Sequence, residues 1–141
     1  MYKKLLLLKS FPANRDAGLL ALRLIAVTPI LLKHGLEKIF AFSQMSPHFP
    51  DPLGIGAVPS LLFAMLSDAI CTVLLIVGLA TRWAALVTFV NLAVAWAFVH
   101  HFQFAGHDGD HGELIVVYMG VMVALFLAGA GKYSVDAQLD S

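Results

Sequence analysis

Hydrophobic positions along the chain gather into four long runs, separated by short stretches rich in turn-forming or polar residues. A bilayer crossing takes about 20 mostly apolar residues, with a range of about 17–25. The first run extends from about Ala17 to Phe42 and is interrupted by Pro29 and by the polar group Lys33, His34, Glu37 and Lys38. The second runs from about Val58 to Leu79, the third from Trp83 to near His100, and the fourth from about Glu113 to Ala130. Between the first two, Ser43 to Ala57 carries Pro47, Pro50, Pro52, Gly54 and Gly56, which disfavour a regular helix. The turn Ala80–Arg82 is so short that spans two and three must be antiparallel neighbours. Gly120, Ala124 and Ala128 recur at every fourth position of span four, as do Ala93 and Ala97 in span three. Small residues at that spacing predict a seam of close helix packing. The pattern predicts an all-α fold: a polytopic membrane protein built as an antiparallel bundle of four transmembrane helices.

Composition sharpens this picture. Of 141 residues, 60% are hydrophobic and 13% are charged, against about 45–50% and about 25% in soluble domains. Mean hydropathy is +0.84. A chain this short cannot hide so much apolar surface from water. Disordered chains and nucleic-acid binders with a basic footprint are excluded as well, so lipid is the expected surrounding and nucleic acid is not a partner. The one cysteine, Cys71, allows neither an intrachain disulfide nor a CxxC motif.

Net charge is zero, but its distribution is uneven. With four spans, both termini share a side with the Ala80–Arg82 turn, and that side holds Lys3, Lys4, Lys9, Arg15, Arg82 and Lys132. The positive-inside rule therefore predicts a protein of the bacterial inner membrane with cytoplasmic N and C termini. Lys3 and Lys4 precede Leu5–Leu8, an apolar stretch shorter than the about 7–15 residues of a signal-peptide core. Residues 1–16 are thus expected as a retained cytoplasmic or interfacial segment, 17–136 as the bundle and 137–141 as a cytoplasmic tail.

Ionisable side chains inside spans usually face the bundle interior and mark functional positions. At about 1.5 Å per residue, Arg23 lies about 9 Å above the cytoplasmic boundary, Asn91 about 12 Å and Asp68 about 16 Å. This predicts a buried Arg23–Asp68 pair with Asn91 beside it, serving either helix register or chemistry. A second, outer layer follows, with His34 and His100 at about 25 Å and Glu113 at about 27 Å, Tyr118 one turn deeper. Lys38 and Glu37 flank His34 on a polar stripe of span one. His34, Lys38, His100, Glu113 and Tyr118 are accordingly the candidate ligand- or proton-handling residues.

All six histidines fall in the outer half, and the third connection contains His101, His107 and His111 amid Asp108, Gly109 and Asp110. Imidazoles and carboxylates are common ligands of transition metals, which makes these three histidines the candidate metal ligands, although their spacing fits no template such as HExxH. Imidazole also suits proton transfer near neutral pH, which a quinone site needs. There is no CxxCH haem motif, GxGxxG fingerprint or Walker loop.

Together, Arg23, His34-Gly35 with Lys38, the acid Asp68, Gly78-Leu79-Ala80-Thr81-Arg82, the closing His100, Glu113 and Gly129-Ala130-Gly131-Lys132-Tyr133-Ser134-Val135-Asp136 resemble the DoxX family of small bacterial and archaeal membrane proteins. The resemblance covers about Arg23 to Asp136. It implies a four-helix membrane fold and a link to redox physiology, since relatives include a subunit of an archaeal thiosulfate:quinone oxidoreductase. One departure is that the span-two acid, usually Glu in the family, is Asp68. The function this implies is a redox-associated membrane subunit that binds a quinone, or docks an oxidoreductase partner, through the outer polar layer. A non-catalytic scaffold and a small proton, metal or anion transporter acting as a homo-oligomer are the alternatives.

Overall fold

A computed structural model describes Leu6, residues 12–104 and residues 112–141. The described elements are all helical. Helix α1, Arg15–Phe40, opens where the Ala17 amide donates to the Asn14 side chain at 3.0 Å, an N-cap that satisfies an orphan donor. After a single turn at Phe42–Met45 and an irregular loop come α2, Ala57–Val77, and α3, Thr81–Val99. Helix α4, Gly112–Ala128, and the short α5, Val135–Leu139, complete the fold. The first three are long and apolar enough to cross a membrane, and α4 is an apolar helix of 17 residues. Antiparallel packing follows from the two-helix turn at Gly78–Ala80, where both Gly78 and Ala80 take left-handed conformations.

Large apolar side chains such as Ile25, Leu32, Ile70, Val117 and Leu127 point outward, as lipid contact requires. The interior is filled by Val27, Ile30, Cys71, Leu75, Ala84, Ala85, Leu92, Met122 and Leu125. Helices α3 and α4 pack most extensively. The expected small-residue seam is not part of that packing: Gly120, Ala124 and Ala128 are exposed. Met122, about 200° around the helix from Gly120, faces the core instead.

Helices α1, α2 and α3 contain widened π-helical turns, at Arg23–Val27, Ile30–Gly35, Leu66–Cys71 and Ala95–Val99. Two of them flank Pro29, which lacks an amide donor and crowds the preceding turn. Arg23, His34 and Asp68 all sit in such turns, which re-aim side chains and recur at functional sites.

The base of the bundle is a clamp made by the C-terminal segment. Asp136 accepts hydrogen bonds from the Ala80 and Thr81 amides at 2.7 and 3.0 Å, capping α3, and its own amide donates to the Gly78 carbonyl at 2.8 Å. Asp16 accepts from the Lys132 amide at 3.0 Å. The Arg23 guanidinium, fully buried, donates from Nη2 to the Tyr133 carbonyl. A side chain at Gly78 would collide with Arg23 and Ser134. Desolvation would raise the Asp136 carboxyl, but the Thr81 and Ala80 amides and the Arg23 charge hold it below the ordinary carboxylate range.

Candidate functional site

The opposite half of the bundle encloses a cavity of about 600 Å3, walled by α1 to α4 and roofed by the loop after α1. This lies within the size range of small-molecule sites. Most of its wall is apolar. Its polar groups gather around Asp68, whose Oδ2 accepts from Lys38 Nζ at 2.8 Å and whose Oδ1 accepts from Ser67 Oγ and Asn91 Nδ2, each at 3.0 Å. Lys38 Nζ also donates to the His34 carbonyl at 3.2 Å. Lys38 is 9% exposed and Asp68 6%. Opposite formal charges and a full set of hydrogen bonds offset the cost of burying the pair.

Local sequence explains how the pair forms. A side chain at Gly35 would overlap the Asp68 carbonyl, so glycine lets α1 and α2 touch there. Lys38 follows three residues later on the same face of α1. Thr72 Oγ1, one turn below Asp68 on α2, donates to the Asp68 and Ala69 carbonyls at 2.7 and 3.0 Å, closing the main-chain acceptors of the widened turn.

The expected Arg23–Asp68 pair is therefore not formed. Asp68 and Asn91 do meet, but the cation is Lys38. The four spans do not share one inner boundary: Arg23 lies level with the base turn, against Gly78 and Tyr133. At about 1.5 Å per residue, Asp68 stands about 15 Å above Gly78, out of reach of an arginine at the base.

Of the outer layer, His34, Lys38, His100 and Tyr118 line the cavity, and Glu113 does not. Glu113 opens α4 on an exposed face, and Tyr118, about 140° further around the helix, faces the cavity with Leu114 and Ile115. Glu37 supplies the carboxylate at the cavity wall instead. Ser67 and the roof residues Met45, Phe49, Pro50, Pro52, Leu53 and Ile55 were not among the expected site residues. Ser67 adjoins Asp68 in sequence, so its signal was available; the roof carried none beyond its prolines.

Of the proposed metal ligands, His107 and His111 lie outside the described residues. His101 is exposed, in a left-handed conformation, away from the cavity lining. Among the described residues no three His, Cys, Asp or Glu side chains cluster as a metal site.

The roof is pinned by Asp51, whose carboxylate accepts from the Ile55 amide at 2.9 Å, the Gly56 amide at 2.8 Å and Ser60 Oγ at 2.9 Å. Desolvation would raise this carboxyl, but those bonds, with the Gly54 amide, hold it below the ordinary carboxylate range.

Fold and site together define a small helical membrane protein with a charge-balanced, apolar-walled cavity at one end. The family model for DoxX matches residues 18–101. The chain belongs to the DoxX family. That match contains Arg23, His34, Gly35, Lys38, Asp68 and Asn91 and ends before Glu113 and the Gly129–Asp136 clamp. An uncharacterized protein of Haemophilus influenzae is 35% identical over 108 residues, covering 72% of this chain and 70% of its own. A second from the same organism is 32% identical over 125 residues, covering 83% and 87%. No solved structure matches.

Proposed function

We propose that this DoxX-family protein binds a neutral, ring-headed amphiphile of the quinone type in its outer cavity, as a membrane subunit serving a redox partner. The supporting observation is the buried Lys38–Asp68–Asn91 cluster at the inner end of an apolar cavity of about 600 Å3. Lys38 uses two of its three protons on Asp68 and the His34 carbonyl, leaving one N–H for a ligand acceptor. Among the described residues, the formally charged side chains lining the cavity are Lys33, Glu37, Lys38 and Asp68. Their charges cancel, which favours a neutral carbonyl head group over an anion.

The apolar wall and roof suit the rest of such a molecule. Reduction of a quinone takes up electrons and protons in equal number. A docked oxidoreductase would supply the electrons. His34, at the cavity wall, is the group suited to exchange the protons. The positive-inside rule, applied to the basic residues of the termini and of the Ala80–Arg82 turn, favours a cytoplasmic base in the inner membrane, with the cavity on the outer side.

The test is quinone content after gentle extraction, by chromatography of the organic extract. Wild-type protein is expected to carry quinone, and His34→Ala to carry markedly less at equal folded yield. Quinone-free wild type from a quinone-replete membrane would overturn the reading.

A further inference from the structure

At the base of the bundle, on the far side from the outer cavity, lies a polar notch of about 590 Å3. Its walls are the first turn of α3 (Thr81, Arg82 and Trp83), the glycine turn Gly129–Gly131, and α5 with Asp136 and Asp140. Helices α2 and α3 hold 21 and 19 residues, about 28–31 Å of helix, the thickness of a hydrocarbon core. The notch therefore opens where hydrocarbon gives way to lipid headgroups. Trp83 and Leu139, 73% and 71% exposed beside it, have the placement of interfacial anchors.

The chemistry of the notch is mixed. Arg82 offers a guanidinium, which suits phosphate oxygens. Asp136 and Asp140 stand four residues apart on α5, joined by the Asp140 amide donating to the Asp136 carbonyl at 3.1 Å. They present two carboxylates on one face. Thr81, 1% exposed, lines the notch beside Asp136, and its side chain as well as its amide helps to hold that carboxylate. Arg82 on one wall and the Asp136 and Asp140 carboxylates on another, with the buried Arg23 charge acting on Asp136, give the notch both signs of charge, which fits a zwitterion.

We propose that this notch binds the headgroup of an aminophospholipid of the phosphatidylethanolamine class. The phosphate rests on Arg82. The primary ammonium donates to Asp136 and Asp140, and the Thr81 hydroxyl completes the polar floor. A quaternary ammonium has no N–H to donate, so choline lipids bind less well. Phosphatidylglycerol has a neutral glycerol head and no ammonium to offer the two carboxylates. Trp83 and Leu139 lie along the first segment of the acyl chains. The site is separate from the outer cavity and does not depend on what that cavity holds.

The experiment is native mass spectrometry of the full chain released from detergent with equimolar phosphatidylethanolamine, phosphatidylcholine and phosphatidylglycerol. Phosphatidylethanolamine is expected to be retained about tenfold over either competitor, the worth of one charge-assisted hydrogen bond. Asp140→Asn and Arg82→Gln, both at exposed positions, are expected to abolish that preference without changing the melting temperature. Equal retention of the three lipids, or a preference that survives both substitutions, would overturn the proposal. So would displacement of the lipid by millimolar glycerophosphoethanolamine, which would make a free solute, and not the membrane, the source of the ligand.

Discussion

Lys38 Nζ lies 2.8 Å from Asp68 Oδ2 because α1 and α2 run in opposite directions. Helical side chains lean toward their own N-terminus. Lys38 on α1 therefore reaches inward along the bundle, and Asp68 on α2 reaches outward to meet it. Truncating one partner strands the other charge in the interior. Lys38→Met is expected to destabilise the protein by about 3–5 kcal/mol, while Lys38→Met/Asp68→Leu recovers most of that loss. Melting of the single and double variants in one detergent checks the sign of the coupling.

Gly35 sets the distance between the same two helices. A methyl group there would overlap main-chain atoms of Asp68 and Ala69, neither of which is a flexible side-chain end. Gly35→Ala is expected to part α1 from α2 and to cost about 1–3 kcal/mol, as overpacking does elsewhere. Its melting temperature should fall, whereas Gly18→Ala, inside α1 where nothing lies within 4 Å, should raise it slightly, since glycine inside a helix costs about 0.5–1 kcal/mol relative to alanine.

The bundle was legible from the sequence because hydrophobic run length and turn residues are local properties; each span boundary fell within about two residues of the helix that formed. The charge pairing was not. It depends on where each helix sits along the bundle axis, and α1 begins about two turns below the level at which α2 ends. Arg23 thus belonged to the base. Glu113 and the Gly120, Ala124 and Ala128 stripe are exposed for a rotational reason: spacing along α4 does not say which face turns to the neighbouring helices, and theirs turns outward. His34 and Lys38 line one cavity, as their common polar face of α1 implies, because a face of a single helix does not depend on its neighbours.

Asp136 makes stability at the base pH-dependent. Its carboxyl is held below the ordinary carboxylate value in the folded protein, so its contribution is complete above the unfolded value of about 3.9. That contribution is lost as pH falls through the lower folded value. Melting followed from pH 6 down to pH 3, about the range set by the reference value, should drop at the acid end. Asp136→Asn should flatten that drop and lower stability at neutral pH by about 0.5–2 kcal/mol, the worth of a helix cap.

Asp51 ties the cavity roof to the first turn of α2 through Ile55, Gly56 and Ser60. Asp51→Ala is expected to leave the bundle's melting temperature unchanged, to expose residues 46–56 to limited proteolysis, and to speed release of a cavity-bound fluorescent quinone analogue. Unchanged cleavage and release would show that apolar packing alone holds the roof.

The central claim is that a neutral ion pair buried under an apolar cavity forms a ligand site. Native mass spectrometry of wild type and Lys38→Met/Asp68→Leu, reconstituted with the same quinone, tests it most directly. The account predicts a bound quinone on the wild type and none on an equally stable double variant. Equal occupancy of the two proteins would contradict it.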